Sequence, residues 1–262
     1  MSKRAPSGRS KNANMAAAAS VLPLALSMLP VSSHVAGTTT VAQTSTVVTG
    51  NFDGCPVEGR ANSPTGNDPE TNREKNRGDA ALNPEPITVA DMKTGVTPLE
   101  KPPATKRSSP NWPSDFDETI TGFEAKQVVL TTYIVSAKAT NAESCNCEST
   151  DPADIDVHVY VNDDPEDVDH GDAAIVEVTP RWRAANPTWT WQNINALRGT
   201  GLQVRITGWL LFDQEHWAMY TSHERGTLWE IHPITAIQVE TKGGGWEDLS
   251  QYEQDQGASD NG

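Results

Sequence analysis

Apolar and polar residues alternate most regularly between Asp154 and Asn162. Ile155, Val157, Val159 and Val161 fall on one side of an extended chain, and Asp154, Asp156, His158 and Tyr160 fall on the other. A period of two is that of a strand with one apolar face, so this stretch predicts a half-buried strand whose polar face meets solvent. Upstream, Glu124 to Ala139 (EAKQVVLTTYIVSAKA) is rich in Val, Thr, Ile and Tyr and predicts a long first strand. Ala173–Thr179 predicts a third, with Glu177 between valines, and Leu202–Phe212 a fourth. The fifth runs Thr227–His232 and resumes after Pro233 through Val239. Between the third and fourth, Arg181-Trp182-Arg183, Pro187, Trp189 and Trp191 break the β pattern. There Thr190–Arg198 predicts a short helix, stopped by Gly199 and Gly201.

The resulting order, β-β-β-α-β-β, predicts a mainly β domain. It matches a small five-stranded OB-like Greek-key barrel with one short helix between strands 3 and 4. The first two strands would pair as a hairpin across the loop that carries Cys145 and Cys147. Trp209, Trp229 and Ile231 are expected in the core, which would turn Glu230 and His232 together toward the opposite face.

Composition divides the chain further. Hydrophobic residues make up 36%, and residues 38–110 contain no Trp or Tyr and one Phe, whereas seven of the eight tryptophans lie at or after Trp182. A core is therefore expected late in the chain, and 38–112 reads as a flexible, disordered linker with a possible short strand at Ile87-Thr88-Val89. Residues 1–37 read as a signal peptide. Lys3, Arg4, Arg9 and Lys11 precede the apolar run Met15–Leu29, which is short and interrupted by Pro23, and small residues follow up to Gly37. No transmembrane segment is expected. The expected location is thus outside the cytoplasm, periplasmic or extracellular. The barrel domain spans 113–242, and 243–262 reads as an acidic disordered tail. Three cysteines in an exported chain permit one disulfide, in which Cys55 could pair with Cys145 or Cys147.

Charge narrows the partners. From Asn111 onward there are eight Lys and Arg against 26 Asp and Glu, a net of −18. A phosphate backbone needs cationic compensation, so nucleic acid, although possible by analogy of fold, is disfavoured. Chemistry could sit in four places. Asp154, Asp156 and His158 would line one face of the second strand, and Glu177, His216, His223, Glu230 and His232 could join them. Carboxylates and imidazoles together suit a divalent metal ion, with Asp154, Asp156, His158 and His232 as the candidate ligands. A solvated acidic face is the plainer explanation, and no H-E-x-x-H or Cys/His zinc spacing is present. Trp229-Glu230-Ile231-His232-Pro233 could pair a Glu with a His, or Glu230 could pair with Arg205 or Arg225. The acidic turn from Asp163 to Asp172 lacks the EF-hand pattern. Finally, Trp189 and Trp191 near Arg181 and Arg183 could stack a base or sugar, or could cover one end of the barrel.

Several of these stretches resemble a group of exported bacterial proteins that carry an OB-like, nucleic-acid-binding-type barrel and have no assigned activity. They are Asp154-x-Asp156-x-His158, Ile175-Val176-Glu177-Val178, Val204 to Trp209, and Arg225-Gly226-Thr227-x-Trp229-Glu230-Ile231-His232-Pro233, with Cys55-Pro56-Val57-Glu58 and Lys75-Asn76-Arg77 upstream. The resemblance covers residues 55–240, implies fold and export, and carries over no catalytic residue. The expectation is a ligand- or partner-binding module on the barrel face, with candidates Asp154, Asp156, His158, Glu177, Glu230, His232, Trp189 and Trp191. Its alternatives are a metal-dependent hydrolase, nuclease- or esterase-like, and a non-catalytic structural protein of the cell envelope.

Overall fold

One long strand organises the molecule. β2, Gln127–Ala139, runs 13 residues and pairs with two partners in succession. Its first half, Gln127–Thr132, lies antiparallel to β5, Val204–Phe212; its second half, Tyr133–Ala139, lies antiparallel to β3, Val157–Asn162. The register shifts between Ile134 and Ser136, where the strand passes from one partner to the other. Beyond β3 the sheet continues through β4, Ala174–Val178, to β6, Trp229–Glu240, and back to β5. The result is a closed five-stranded barrel. The β4–β6 pairing is parallel and the other four are antiparallel, so the barrel is mixed. The computed structural model describes residues 54–61, 69–95, 102, 104 and 106–253. The signal-peptide reading of 1–37 and the last residues of the expected tail, 254–262, lie outside them.

Alternation fills the interior. Val157, Val159, Val161, Val176, Val178 and Ile231 turn inward into one hydrophobic core. An 11-residue helix, α3 (Ser114–Glu124), packs against this core: Phe116 meets Phe212 edge-on with centroids 6.0 Å apart, and Phe123 meets Trp229 at 5.6 Å. Trp229 and Ile231 are fully buried in this core, as expected, whereas Trp209, also expected there, is buried outside it with Arg77 3.5 Å over its ring.

Several expectations change. The helix between the third and fourth barrel strands is two helices, α4 (Pro180–Ala185) and α5 (Trp191–Ala196). Thr179 and Thr190 cap them, accepting from the backbone N–H of Trp182 and Asn193, and proline at the first position of α4 supplies the backbone angle a helix needs. Residues 69–95, read as linker, form α1 (Pro69–Lys75), β1 (Glu85–Ile87) and α2 (Val89–Thr94). β1 adds parallel to β2, and α2 starts at Val89, where the short strand was expected to end. Past Lys242 the chain does not fray at once: Trp246–Asp248 forms β7, antiparallel to β6, and Leu249 is fully buried. After β5 come a 3-10 turn, Gln214–His216, and a short helix, α6 (Trp217–Thr221).

The largest change concerns the second strand. Every residue from Val157 to Asn162 is buried, so its polar face does not meet solvent. A cover lies over it. Cys55 is joined to Cys147 by a disulfide across 92 residues. Asn76 Nδ2 donates to the carbonyls of Val57 and Cys145 at 3.0 and 2.8 Å, and Arg181 donates to Asn76 Oδ1 and the Cys55 carbonyl, both at 3.0 Å. Among the described residues no helix is long and apolar enough to cross a membrane.

Candidate functional site

Beneath that cover, neighbouring strands bring a row of ionisable groups together on the barrel's outer face. His158 of β3 is the register partner of Glu177 on β4. β4 and β6 pair in parallel, Ile175 with Glu230 and Val176 with Ile231, and the next step of that register sets Glu177 beside His232. Because Trp229 and Ile231 point into the core, Glu230 and His232 point out together, as the alternation in Trp229–Pro233 predicts. Asp156 precedes β3 by one residue and lies on the His158 face.

Distances within the row are short. His158 Nε2 is 2.8 Å from Glu177 Oε1, and His232 Nδ1 is 3.2 Å from Glu177 Oε2 and 3.5 Å from Glu230 Oε2. Asp156, Glu177 and His232 each place a ligand atom within 4.8 Å of the others, and all three are at most 1% exposed. Six further groups come from outside the row. Lys75 of α1 reaches Glu143 Oε2 at 3.0 Å, and Glu143 lies 3.6 Å from His158. Arg225 bridges Asp213 at 2.7 Å and Glu230 at 2.8 Å, and Asp213 in turn contacts His216 Nδ1. Cys145, the free thiol, sits 3.7 Å from Asp156 Oδ2.

Burial works against charge on all of these groups, and their neighbours decide which resist it. His158 nevertheless rises well above its ordinary value, because the Glu177 and Glu143 carboxylates favour its imidazolium. His232 is raised against burial by Glu177 and Glu230. In return, His158 and His232 draw Glu177 down to about 2 despite its burial. Asp156 moves the opposite way, pushed up to about 6 by burial and by the charge of Glu143. Burial, Asp213 and Glu177 push Glu230 up to about 7. Glu143, Asp156, Glu177, Asp213 and Glu230 face two permanent cations, Lys75 and Arg225. Protonated imidazoles, protonated carboxyls at Asp156 and Glu230, or a bound cation offset the remaining negative charge.

A cleft of about 650 Å³ opens over one end of the row. It lies between the β2–β3 connection and the segment after β5, with His158, Glu143, Glu215, His216, Lys138 and Met219 among its walls. Three carboxylates (Glu143, Glu148 and Glu215) line it together with one amine (Lys138) and the imidazoles of His158 and His216.

The expected candidates divide. Asp156, His158, Glu177, Glu230 and His232 come together. Asp154 does not: it precedes the strand and accepts from Ser149 Oγ at 3.0 Å. His216 joins the cluster through Asp213, whereas His223 is exposed in a left-handed turn. Trp189 is no stacking platform, being 1% exposed in the hydrophobic core, and only Trp191 is exposed. Arg181 and Arg183 are occupied with the carbonyls of Cys55, Pro56, Pro152 and Ile155. Arg225, not Arg205, pairs with Glu230, while Arg205 stacks over Trp246 at 4.0 Å. Glu143, Cys145, Asp213 and Lys75 had no place in the expected site. They arrive from loops and α1, and local periodicity carries no trace of a neighbour that distant in the chain. No protein-family model, curated protein or solved structure matches the chain.

Proposed function

We propose that the protein is an exported OB-like barrel module that binds a small neutral or cationic ligand in the polar cleft over the outer face of β3. The observation that carries this reading is the cleft itself: a concave polar site of about 650 Å³, with the ionised row at its edge. Two features support the OB-like reading of the closed barrel. The long first barrel strand pairs with both of its neighbours, and helices sit between the third and fourth strands. Export is supported by the charged and apolar N-terminal pattern and by the Cys55–Cys147 disulfide, a bond that persists in oxidising compartments. The net charge of −18 from Asn111 onward argues against a phosphate backbone as the ligand.

Nuclear magnetic resonance of the full chain against a fragment set sorted by charge tests the reading. Neutral and cationic fragments should shift the amides of Lys138–Ser144 and Glu215–Met219. Shifts scattered over the surface, or a preference for anions, would sink it. Reversing charge at Glu148 and Glu215 should weaken a cationic hit by about tenfold or more, since each reversal replaces an attraction with a repulsion. A second reading, a metal-dependent hydrolase, is favoured by the carboxylates and imidazoles beneath the cleft. It requires turnover of an ester or phosphodiester that is lost on chelation.

A further inference from the structure

We propose that Asp156, Glu177 and His232 form a binding site for one divalent transition-metal ion, zinc foremost. The inference is independent of what the cleft binds. Clustering of ionisable groups would not suffice, since buried networks also stabilise folds. The second observation is what these side chains lack. Asp156 Oδ1, Glu177 Oε2 and both ring nitrogens of His232 are buried and have no hydrogen-bond partner. Buried polar atoms are nearly always paired, so four orphans within one small cluster call for a missing occupant.

Geometry points the same way. Glu177 lies 2.8 Å from His158 Nε2 and 3.2 Å from His232 Nδ1, yet neither contact has hydrogen-bond alignment. Donor atoms that approach closely without aiming at one another converge on shared space. The neighbouring combinations already face a permanent cation. Lys75 holds Glu143, and Arg225 fills the gap between Asp213 and Glu230. Glu230 keeps orphaned oxygens as well, but beside Arg225, whereas Asp156 and Glu177 form no ion pair with a lysine or arginine. One imidazole and two carboxylates, with water as a fourth ligand, suit zinc, or manganese and iron, and fit calcium poorly, since calcium prefers oxygen alone. An outer shell is in place: Glu230 beside His232, His158 beside Glu177, and the Cys145 thiol beside Asp156.

The test uses the full chain, made without a polyhistidine tag, titrated with cobalt(II) as a spectroscopic stand-in for zinc. One equivalent should give the intense visible bands of a four-coordinate site, bleached by zinc. Zinc should raise the melting temperature, and a chelator should reverse that rise. Glu177→Gln and His232→Gln should each weaken cobalt binding by about 100-fold or more, while Asp154→Asn and His223→Gln keep wild-type affinity. Far-UV circular dichroism reports whether the variants fold; should they not, the wild-type titration decides alone. Absence of both the bands and the zinc-dependent stabilisation in the wild type overturns the proposal. So does full affinity in folded Glu177→Gln or His232→Gln. A sulfur-to-cobalt charge-transfer band would move the ion to Cys145 and overturn this donor set.

Discussion

Arg225 illustrates how much a single buried side chain holds in place. It is 1% exposed, spans Asp213 and Glu230, and donates through Nε to the Thr227 carbonyl. Removing one partner of a buried ion pair strands the other charge, so Arg225→Ala should cost about 3–5 kcal/mol in chemical denaturation. Asp154→Ala should change the same measurement by about 0.5 kcal/mol or less, because Asp154 is only partly buried and bonds one serine. A loss at Asp154 comparable to that at Arg225 would mean that the site extends beyond the residues assigned to it. Gly208 is a second sensitive position. A Cβ there would lie 2.4 Å from the Pro233 carbonyl and 2.5 Å from Ile231 Cγ2, so Gly208→Ala forces β5 away from the segment that carries His232. Overpacking of this kind costs about 1–3 kcal/mol, readable as a lowered melting temperature. At this scale the sequence was informative wherever side chains alternate. Asp156 and His158, and Glu230 and His232, are pairs two residues apart, and strand geometry alone sets each pair on one face. Asp154 extends the same pattern but stands before the strand begins, where alternation no longer governs direction. Asp213, Glu143 and Lys75 follow no period, and only the folded chain brings them to the site.

Among the elements, the five barrel strands were legible because each is long, β-branched and bounded by turn formers. α1 and its flanks were not. Their attachment is polar: Asn72, Lys75 and Asn76 are buried on hydrogen bonds and an ion pair rather than on apolar area, and composition cannot separate such a segment from a linker. The polar faces of β3, β4 and β6 therefore looked like surface when they are the floor under a lid. That lid is held by one disulfide and a few hydrogen bonds, whereas the barrel is held by its core. Substituting both Cys55 and Cys147 by serine should cost about 2–5 kcal/mol. The loss should be uneven. Hydrogen exchange should speed up at Asn76 and in the Ser144–Cys147 turn while β5 and β6 keep their protection. Uniform acceleration across β5 and β6 would show that lid and barrel unfold as one unit.

For the molecule as a whole, charge is the dominant statement. A formal charge of −15 over 262 residues keeps polyanions away and attracts cations. Oligonucleotides, single- or double-stranded, should show no binding in anisotropy even at low ionic strength, where any phosphate contact is strongest. Binding that appears at low salt and fades as salt is raised would reveal a cationic surface that the net charge conceals. Overall charge and barrel class could be read from the chain. The cleft could not, because it is formed by the approach of two connections, 138–148 and 215–219, that meet only after the barrel closes.

β2's two-sided pairing sets an order of events. Gln127 meets Trp209 and Thr132 meets Val204, so closure must wait for chain more than 70 residues downstream. The ring of strands can become whole only after β5 is available, and Glu177 can meet His232 only when β6 has followed it. Cys147 reaches Cys55 across 92 residues, yet that contact needs no chain beyond the β2–β3 connection. The lid's latch and the floor beneath it therefore belong to different stages of maturation. An oxidised chain whose barrel is still open would have the clasp fastened over nothing. Pulse-labelling refolding with the disulfide intact should reveal this intermediate as protected α1 and unprotected β6.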